Sequence, residues 1–393
     1  MGELDLTILF YLLILSIILL LVYFRKDKNI VITIACTLLI LQIIIAPKVC
    51  IDAAIAGSLL FFYKVFPSLF SFLVVSNIML SYDGVYIYSK FLGGALCRPL
   101  KLPSSCSFVL IVSILCGYPL GAKYASDIYE RKIIDFPTYE RLLNIASNAS
   151  PLFILGSIGI SMLKNPYIGY MLLLSNLLSC LIMGLIIPSK VIVRQQTLQK
   201  SHILNSSNIG DVLKGSIENS IKTSLSIGGY VTLFSVIDNL LKNNYIFNVF
   251  TDKMVYLFHL SKEVTEGVTL GIIEMTNGCS LISSSNVSIL TKIAITSFLF
   301  TFSGLSIISQ VYSFTYKFDI SMKKYVVKKF FQGLICSVIS ILLYELFLSN
   351  STIQTFASEH YAHIDVKNIF LWVFMLLIIP WLSFRTKKLF HIS

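Results

Sequence analysis

After the apolar run at residues 108–115, the chain reads Cys116-Gly117-Tyr118-Pro119-Leu120-Gly121-Ala122-Lys123. No helix passes through this stretch unbroken. Glycine opens positive φ, and proline lacks an N–H and collides with the preceding turn. Peptide groups left without intrahelical partners are tolerated at membrane depth only inside protein or along a watery cavity. A second interruption, Glu274-Met275-Thr276-Asn277-Gly278-Cys279, lies 157 residues later when Gly121 is set against Gly278. The spacing predicts a duplicated, transporter-like body.

That reading requires a membrane, and the composition supplies one. The 393 residues are 56% apolar and only 13% charged, with a mean hydropathy of +0.81, whereas soluble domains carry about a quarter charged residues. A net charge of +11 invites comparison with nucleic-acid binders. Here, however, Lys and Arg sit in short clusters between apolar runs rather than on one basic face, so no nucleic-acid partner is expected. Positive cytoplasmic loops account for the charge. The eight cysteines are scattered through apolar segments without CxxC or Cys/His spacing, and read as buried small hydrophobes. No metal or cofactor is expected. His360 and His363 fall in a polar loop.

Taken in order, residues 6–24 form a first, uncleaved span followed by Arg25, Lys26 and Lys28, which places the N-terminus outside. Residues 30–46 return. The stretch 51–80 is too long for one straight span and is expected to bend near Pro67, and 82–105 reads as interfacial. The arms around Gly117-Tyr118-Pro119 are each too short to cross, which predicts a re-entrant hairpin. A helix from Pro137 is expected to stop at Ser147-Asn148-Ala149-Ser150-Pro151 and resume, and 166–187 crosses once more. After the polar segment 189–207 the pattern returns. An overlong helix at 209–241 is read as interrupted at Gly228-Gly229; an interfacial stretch, a second hairpin at Thr276-Asn277-Gly278, a helix broken at Ser303-Gly304 and a closing span from Tyr325 follow. The halves align at Asn77/Asn239, Gly121/Gly278 and Ser150/Ser303, with offsets of 162, 157 and 153. A last span at 368–384 with Arg385, Lys387 and Lys388 puts the C-terminus in the cytoplasm. This layout leaves roughly 20 of the 31 Lys and Arg on the cytoplasmic side. Each repeat has an odd number of crossings, so the repeats are inverted. The fold class is an all-α polytopic membrane protein with two inverted-topology repeats, broken helices and re-entrant helical hairpins.

Inverted repeats with paired broken helices point to a midplane site. A helix starting at membrane depth offers free N–H groups and about half a positive charge. The starts at Pro119 and Pro151 can therefore hold an anion. The substrate-binding candidates are Gly117, Tyr118, Pro119, Gly121, Lys123, Asn148, Ser150, Pro151, Glu274, Thr276, Asn277, Gly278, Ser303 and Gly304. Lys123 can supply a cation or snorkel to the surface. Glu274 can serve as a coupling-ion or proton site, or pair with Lys222 or Lys292. The sequence contains no P-loop, HExxH or GxSxG, and no enzyme activity is expected.

The 116–123 motif, Ser147-Asn148-Ala149-Ser150-Pro151-Leu152-Phe153-Ile154-Leu155-Gly156, Glu274-Met275-Thr276-Asn277-Gly278 and Ser303-Gly304-Leu305-Ser306 together resemble the YlbJ/SpoVV family of sporulation integral membrane proteins. That family sits within a wider group carrying paired nucleoside-recognition (Gate) domains. The tip departs from the family pattern in having Cys116 where serine is expected. The resemblance implies an endospore-forming source and a place in the outer forespore membrane. It also implies movement of dipicolinic acid from the mother-cell cytoplasm toward the spore. The wider group implies a nucleoside as the other cargo, another small organic anion is a further alternative, and a non-transporting spore-envelope assembly factor is the other class. The domain expectation is an N-terminal transmembrane hairpin at 1–48, Gate-like repeats at 49–188 and 209–349 joined by a cytoplasmic linker at 189–208, and a C-terminal loop, span and basic tail at 350–393.

Overall fold

A computed structural model describes residues 28–188 and 208–348, and among them the chain is helical with no strand. The spans expected at 6–24 and 368–384, the polar segment 189–207 and the loop with His360 and His363 lie outside the described residues.

Helix α1 (Lys28–Ile45) precedes the first repeat. The repeat opens with α2 (Pro47–Leu60), a π-helical turn Phe61–Val65 and α3 (Phe66–Ser81). Where a bend near Pro67 is expected, the irregularity is a π-helical turn one turn earlier. Proline's ring collides with the carbonyl four residues back, and the chain widens ahead of it, with the Phe66 N–H reaching the Phe61 carbonyl. Helix α4 (Gly84–Cys97) then folds away from α3 by 94°. Next come the hairpin α5 (Ser107–Cys116) and α6 (Leu120–Glu130), then α7 (Phe136–Ile145), a π-helical segment Phe153–Met162, and α8 (Pro166–Ile186).

The second half repeats this order. Helix α9 (Ile209–Lys242) is followed by α10 (Tyr245–Phe258), the hairpin α11 (Lys262–Ile273) and α12 (Met275–Ser284), then α13 (Ile289–Phe302) with α14 (Gly304–Thr315), and α15 (Met322–Phe347). The interruption expected at Gly228-Gly229 does not occur, because α9 is continuous. Gly228 instead makes room for the Phe61 ring, which would meet any Cβ placed there.

The inversion is visible in how equivalent helices meet. Gly57 faces Ser235, Phe61 faces Gly228, and Asn77 donates to Ser220 Oγ at 3.1 Å. Residue numbers rise along α2–α3 while they fall along α9, so the opening helices of the two repeats run antiparallel. Four segments among the described residues are long and apolar enough to cross a bilayer, α8, α9, α13 continued by α14, and α15. The outside is apolar, with Phe91, Tyr256 and Leu346 exposed, while the inside holds Ser, Thr, Asn and Gln. This is the distribution of a multi-pass membrane protein, whose lipid-facing surface has no need of polarity.

Candidate functional site

The first hairpin turns at Gly117, whose φ of +77° only glycine adopts without strain. Its arms lie side by side, with the Phe108 and Tyr124 rings 5.6 Å apart. The Tyr118–Pro119 peptide is cis, and Lys123 N–H reaches the Pro119 carbonyl at 3.1 Å to close the first turn of α6. Against this tip lies the break that follows α7. Residues 146–150 leave helical geometry, Tyr118 N–H donates to the Asn148 carbonyl at 2.6 Å, and Gly117 sits where any side chain would strike Ser150. The helix restarts at Pro151, with Ser150 Oγ accepting from Phe153 N–H at 3.2 Å. The Asn148 side chain is buried, accepting from the Cys180 thiol and donating to Ser113 Oγ.

The second hairpin breaks earlier than the sequence suggests. Thr276, Asn277 and Gly278 lie in the first turn of α12, and the turn itself is Glu274, extended at φ −132°, with its carboxylate accepting from Asn277 N–H at 2.8 Å. A side chain can cap a helix start as well as a glycine can break one, which is why the glycine-centred reading missed by a few residues. Gly278 serves packing instead, lying directly against Gly271 of the facing arm. At the following break Ser303 adopts the left-handed conformation (φ 76°). Gly304 abuts the Gly271, Ile272 and Ile273 carbonyls that end α11.

The two tips meet. Tyr118 Oη donates to Met275 Sδ at 2.6 Å and lies 3.2 Å from the Phe300 carbonyl. Gly117, Tyr118, Pro119, Asn148, Ser150, Pro151, Glu274, Thr276, Asn277, Gly278, Ser303 and Gly304 therefore belong to one connected region. Tyr118, Ser150, Thr276 and Asn277 are only half-buried and present hydroxyl and amide groups to it.

Lys123 is placed differently. It is buried, ion-paired to Asp127 at 2.8 Å, 3.5 Å from Asn77 Oδ1 and 4.4 Å over the Tyr124 ring. It thus faces the base of the hairpin, beside a cavity of about 460 Å³ lined by Asp127, Glu130, Arg131 and Asp211. Three acids around one arginine make that cavity a poor host for a dianion.

The cation nearest the first break is Lys329, which lies in the closing span expected from Tyr325 and was not among the candidates. It is 1% exposed and donates to the Ser147 carbonyl at 2.7 Å and to Gln332 Oε1 at 3.0 Å. Tyr325 Oη meets Ser147 Oγ at 2.6 Å, and Gln332 reaches Cys180. Tyr325, Lys329, Gln332 and Cys336 recur at steps of four, three and four. A polar stripe at helical spacing inside an apolar span was the available signal.

The second hairpin is flanked by acids instead. Asp238 Oδ2 accepts from Asn277 Nδ2 at 2.7 Å, and its buried Oδ1 has no protein partner. Asn239, the residue aligned with Asn77, bonds only within its own helix, to the Ser235 carbonyl. Asp238 therefore tethers the second hairpin to α9, as Asn77 tethers the first to α3 through Tyr124 Oη at 3.0 Å. Among the described residues neither Glu274 nor Asp238 is ion-paired, and Lys292 donates instead to the Ser283 carbonyl. No group of three or more potential metal ligands occurs among the described residues.

No protein-family model matches the chain. It is homologous to the sporulation integral membrane protein YlbJ of Bacillus subtilis (strain 168), with 28% identity over 321 residues, covering 76% of this chain and 78% of that one. A solved structure of a variant of CNTnw in an outward-facing state aligns with 73% of this chain and 76% of its own at 14% identity, with a TM-score of 0.43.

Proposed function

We propose that this homologue of a sporulation integral membrane protein is a secondary transporter. It moves dipicolinic acid from the mother-cell cytoplasm across the outer forespore membrane, with its N-terminus outside and its C-terminus cytoplasmic. One observation carries the transport reading: two oppositely directed hairpins touch tip to tip through Tyr118 and Met275, each beside a broken helix of its own repeat. Such a junction is where alternating access needs its binding site, because rocking of one repeat against the other exposes it to either side in turn.

The chemistry of the junction supports a small anion on one side and a coupling cation on the other. Dipicolinate is a flat pyridine dicarboxylate. Its carboxylates need donors, which the helix starts at Pro119 and Pro151, the hydroxyls of Ser150 and Thr276 and the buried charge of Lys329 supply. Tyr118 and Phe153 flank the ring. Asp238 and Glu274 face the coupling ion, since uncompensated carboxylates at membrane depth favour a bound cation or proton. Dipicolinate itself, and the forespore membrane, come from the family resemblance.

A nucleoside is the second reading, favoured by the carboxylate-bracketed Asn277, which suits ribose hydroxyls and a base edge. The test is dipicolinate accumulation in spores carrying Asn148→Ala, Glu274→Gln or Asn277→Ala at matched protein levels, with uptake of dipicolinate and of uridine measured in proteoliposomes. Accumulation falls in all three variants if the junction is the site. Normal accumulation in all three removes it, and uridine uptake without dipicolinate uptake selects the second reading. A spore-envelope assembly factor tolerates all three substitutions and shows no flux of either.

A further inference from the structure

A second cavity, of about 530 Å³, opens between the C-terminal end of α8 and the first turns of α15, away from the hairpin tips. Its two sides differ. One is apolar, formed by Met183, Ile186, Phe331 and Ile335; Ile186 and Phe331 are themselves exposed on the lipid-facing surface, so the mouth opens sideways into the bilayer. The other is cationic, with Lys324, Lys328 and Arg141 against the single acid Glu140.

Those charges are poorly compensated. Lys328 and Glu140 make only a loose pair at 3.7 Å. Arg141 is buried and donates to three carbonyls, those of Lys101, Gly184 and Ile187, but to no carboxylate. Carbonyl dipoles satisfy its N–H groups without cancelling its charge, so the pocket carries a net positive potential in a medium that screens weakly. Lys324 sits in the first turn of α15 and forms no ion pair among the described residues.

We propose that this cavity binds the headgroup of an anionic phospholipid, with the phosphate between Lys324 and Lys328 and the first part of an acyl chain along Ile335, Phe331 and Met183. The lateral opening, the apolar wall and the basic end at the depth where the helices emerge are complementary to that molecule. A free inorganic anion gains nothing from the apolar wall, and a zwitterionic lipid gains little from the lysines. The assignment is independent of what the hairpin junction transports.

The experiment uses the full chain purified in detergent, titrated with phosphatidylglycerol or with phosphatidylcholine of the same acyl chains. Lipid retention is read by native mass spectrometry and stability by thermal melts. Phosphatidylglycerol is retained roughly tenfold more tightly than phosphatidylcholine, and Lys324→Gln with Lys328→Gln brings the ratio to about twofold or less. Ile335→Trp, which fills the apolar side and leaves the lysines in place, lowers phosphatidylglycerol retention as well. This keeps the test decisive should the double variant not fold. Equal retention of the two lipids by the wild type overturns the proposal. So does displacement of phosphatidylglycerol by millimolar inorganic phosphate, which marks a simple anion site. Phosphatidylglycerol binding that arises only after cleavage within residues 189–207 also overturns it, showing that the chain's own segment, which follows Pro188 at the cavity wall, is the occupant.

Discussion

The two hairpins occupy equivalent places in their repeats and solve the same problem in different ways. The first turns on backbone conformation, through Gly117 at positive φ, and its neighbouring break is backed by a buried cation, Lys329. The second turns on a side chain, the Glu274 carboxylate capping α12, and is tied back by a second carboxylate, Asp238. Duplication thus supplied the geometry twice, while the buried charges beside both breaks, Lys329, Glu274 and Asp238, all come from the second repeat.

The comparison breaks most visibly at Gly117. Gly117→Val imposes left-handed strain and a collision with Ser150, and is expected to cost about 3 kcal/mol. Gly229→Val, at a position open to the surroundings, is the control. Melting temperatures in detergent that match for the two variants refute a backbone-determined turn. The charge asymmetry is tested next. Lys329→Met is expected to lower dipicolinate uptake roughly thirtyfold, the equivalent of about 2 kcal/mol. Lys123→Met, whose charge is spent on Asp127, lowers it far less, and the reverse order returns the anion to the first hairpin's base. Glu274→Ala removes a helix cap worth about 1 kcal/mol, and a thermal melt that shifts for Glu274→Ala but not for Glu274→Asp shows that the carboxylate, rather than its length, carries the turn. The smallest effect belongs to Asn239→Ala, expected within about 0.5 kcal/mol. A larger loss than from Asp238→Ala restores the Asn77/Asn239 equivalence.

Much of this architecture was legible because glycine, proline and charge interrupt apolar runs in only a few physically permitted ways. The repeat order, both hairpins and the breaks near Ser150 and Ser303 follow from that constraint. What escaped the sequence has a common cause. Gly228, Gly271 and Gly278 are small because something packs against them, and a glycine that admits a neighbour looks in sequence like one that turns the chain. Lys329 was hidden among Lys323, Lys324 and Lys328, since only the helical phase separates the buried lysine from the exposed or half-buried ones. The acid at Asp238 was overshadowed by its neighbour Asn239 because alignment by residue type rewards identity rather than direction.

The contact between the tips is modest for so central a position. A phenol hydroxyl rests on a thioether, one of the weakest acceptors a protein offers, and 3.2 Å from the Phe300 carbonyl in the last turn of α13. Parting the two halves there forfeits little enthalpy, so the doorway between the repeats works as a light catch rather than a lock, one that thermal agitation can lift and an arriving guest can hold shut.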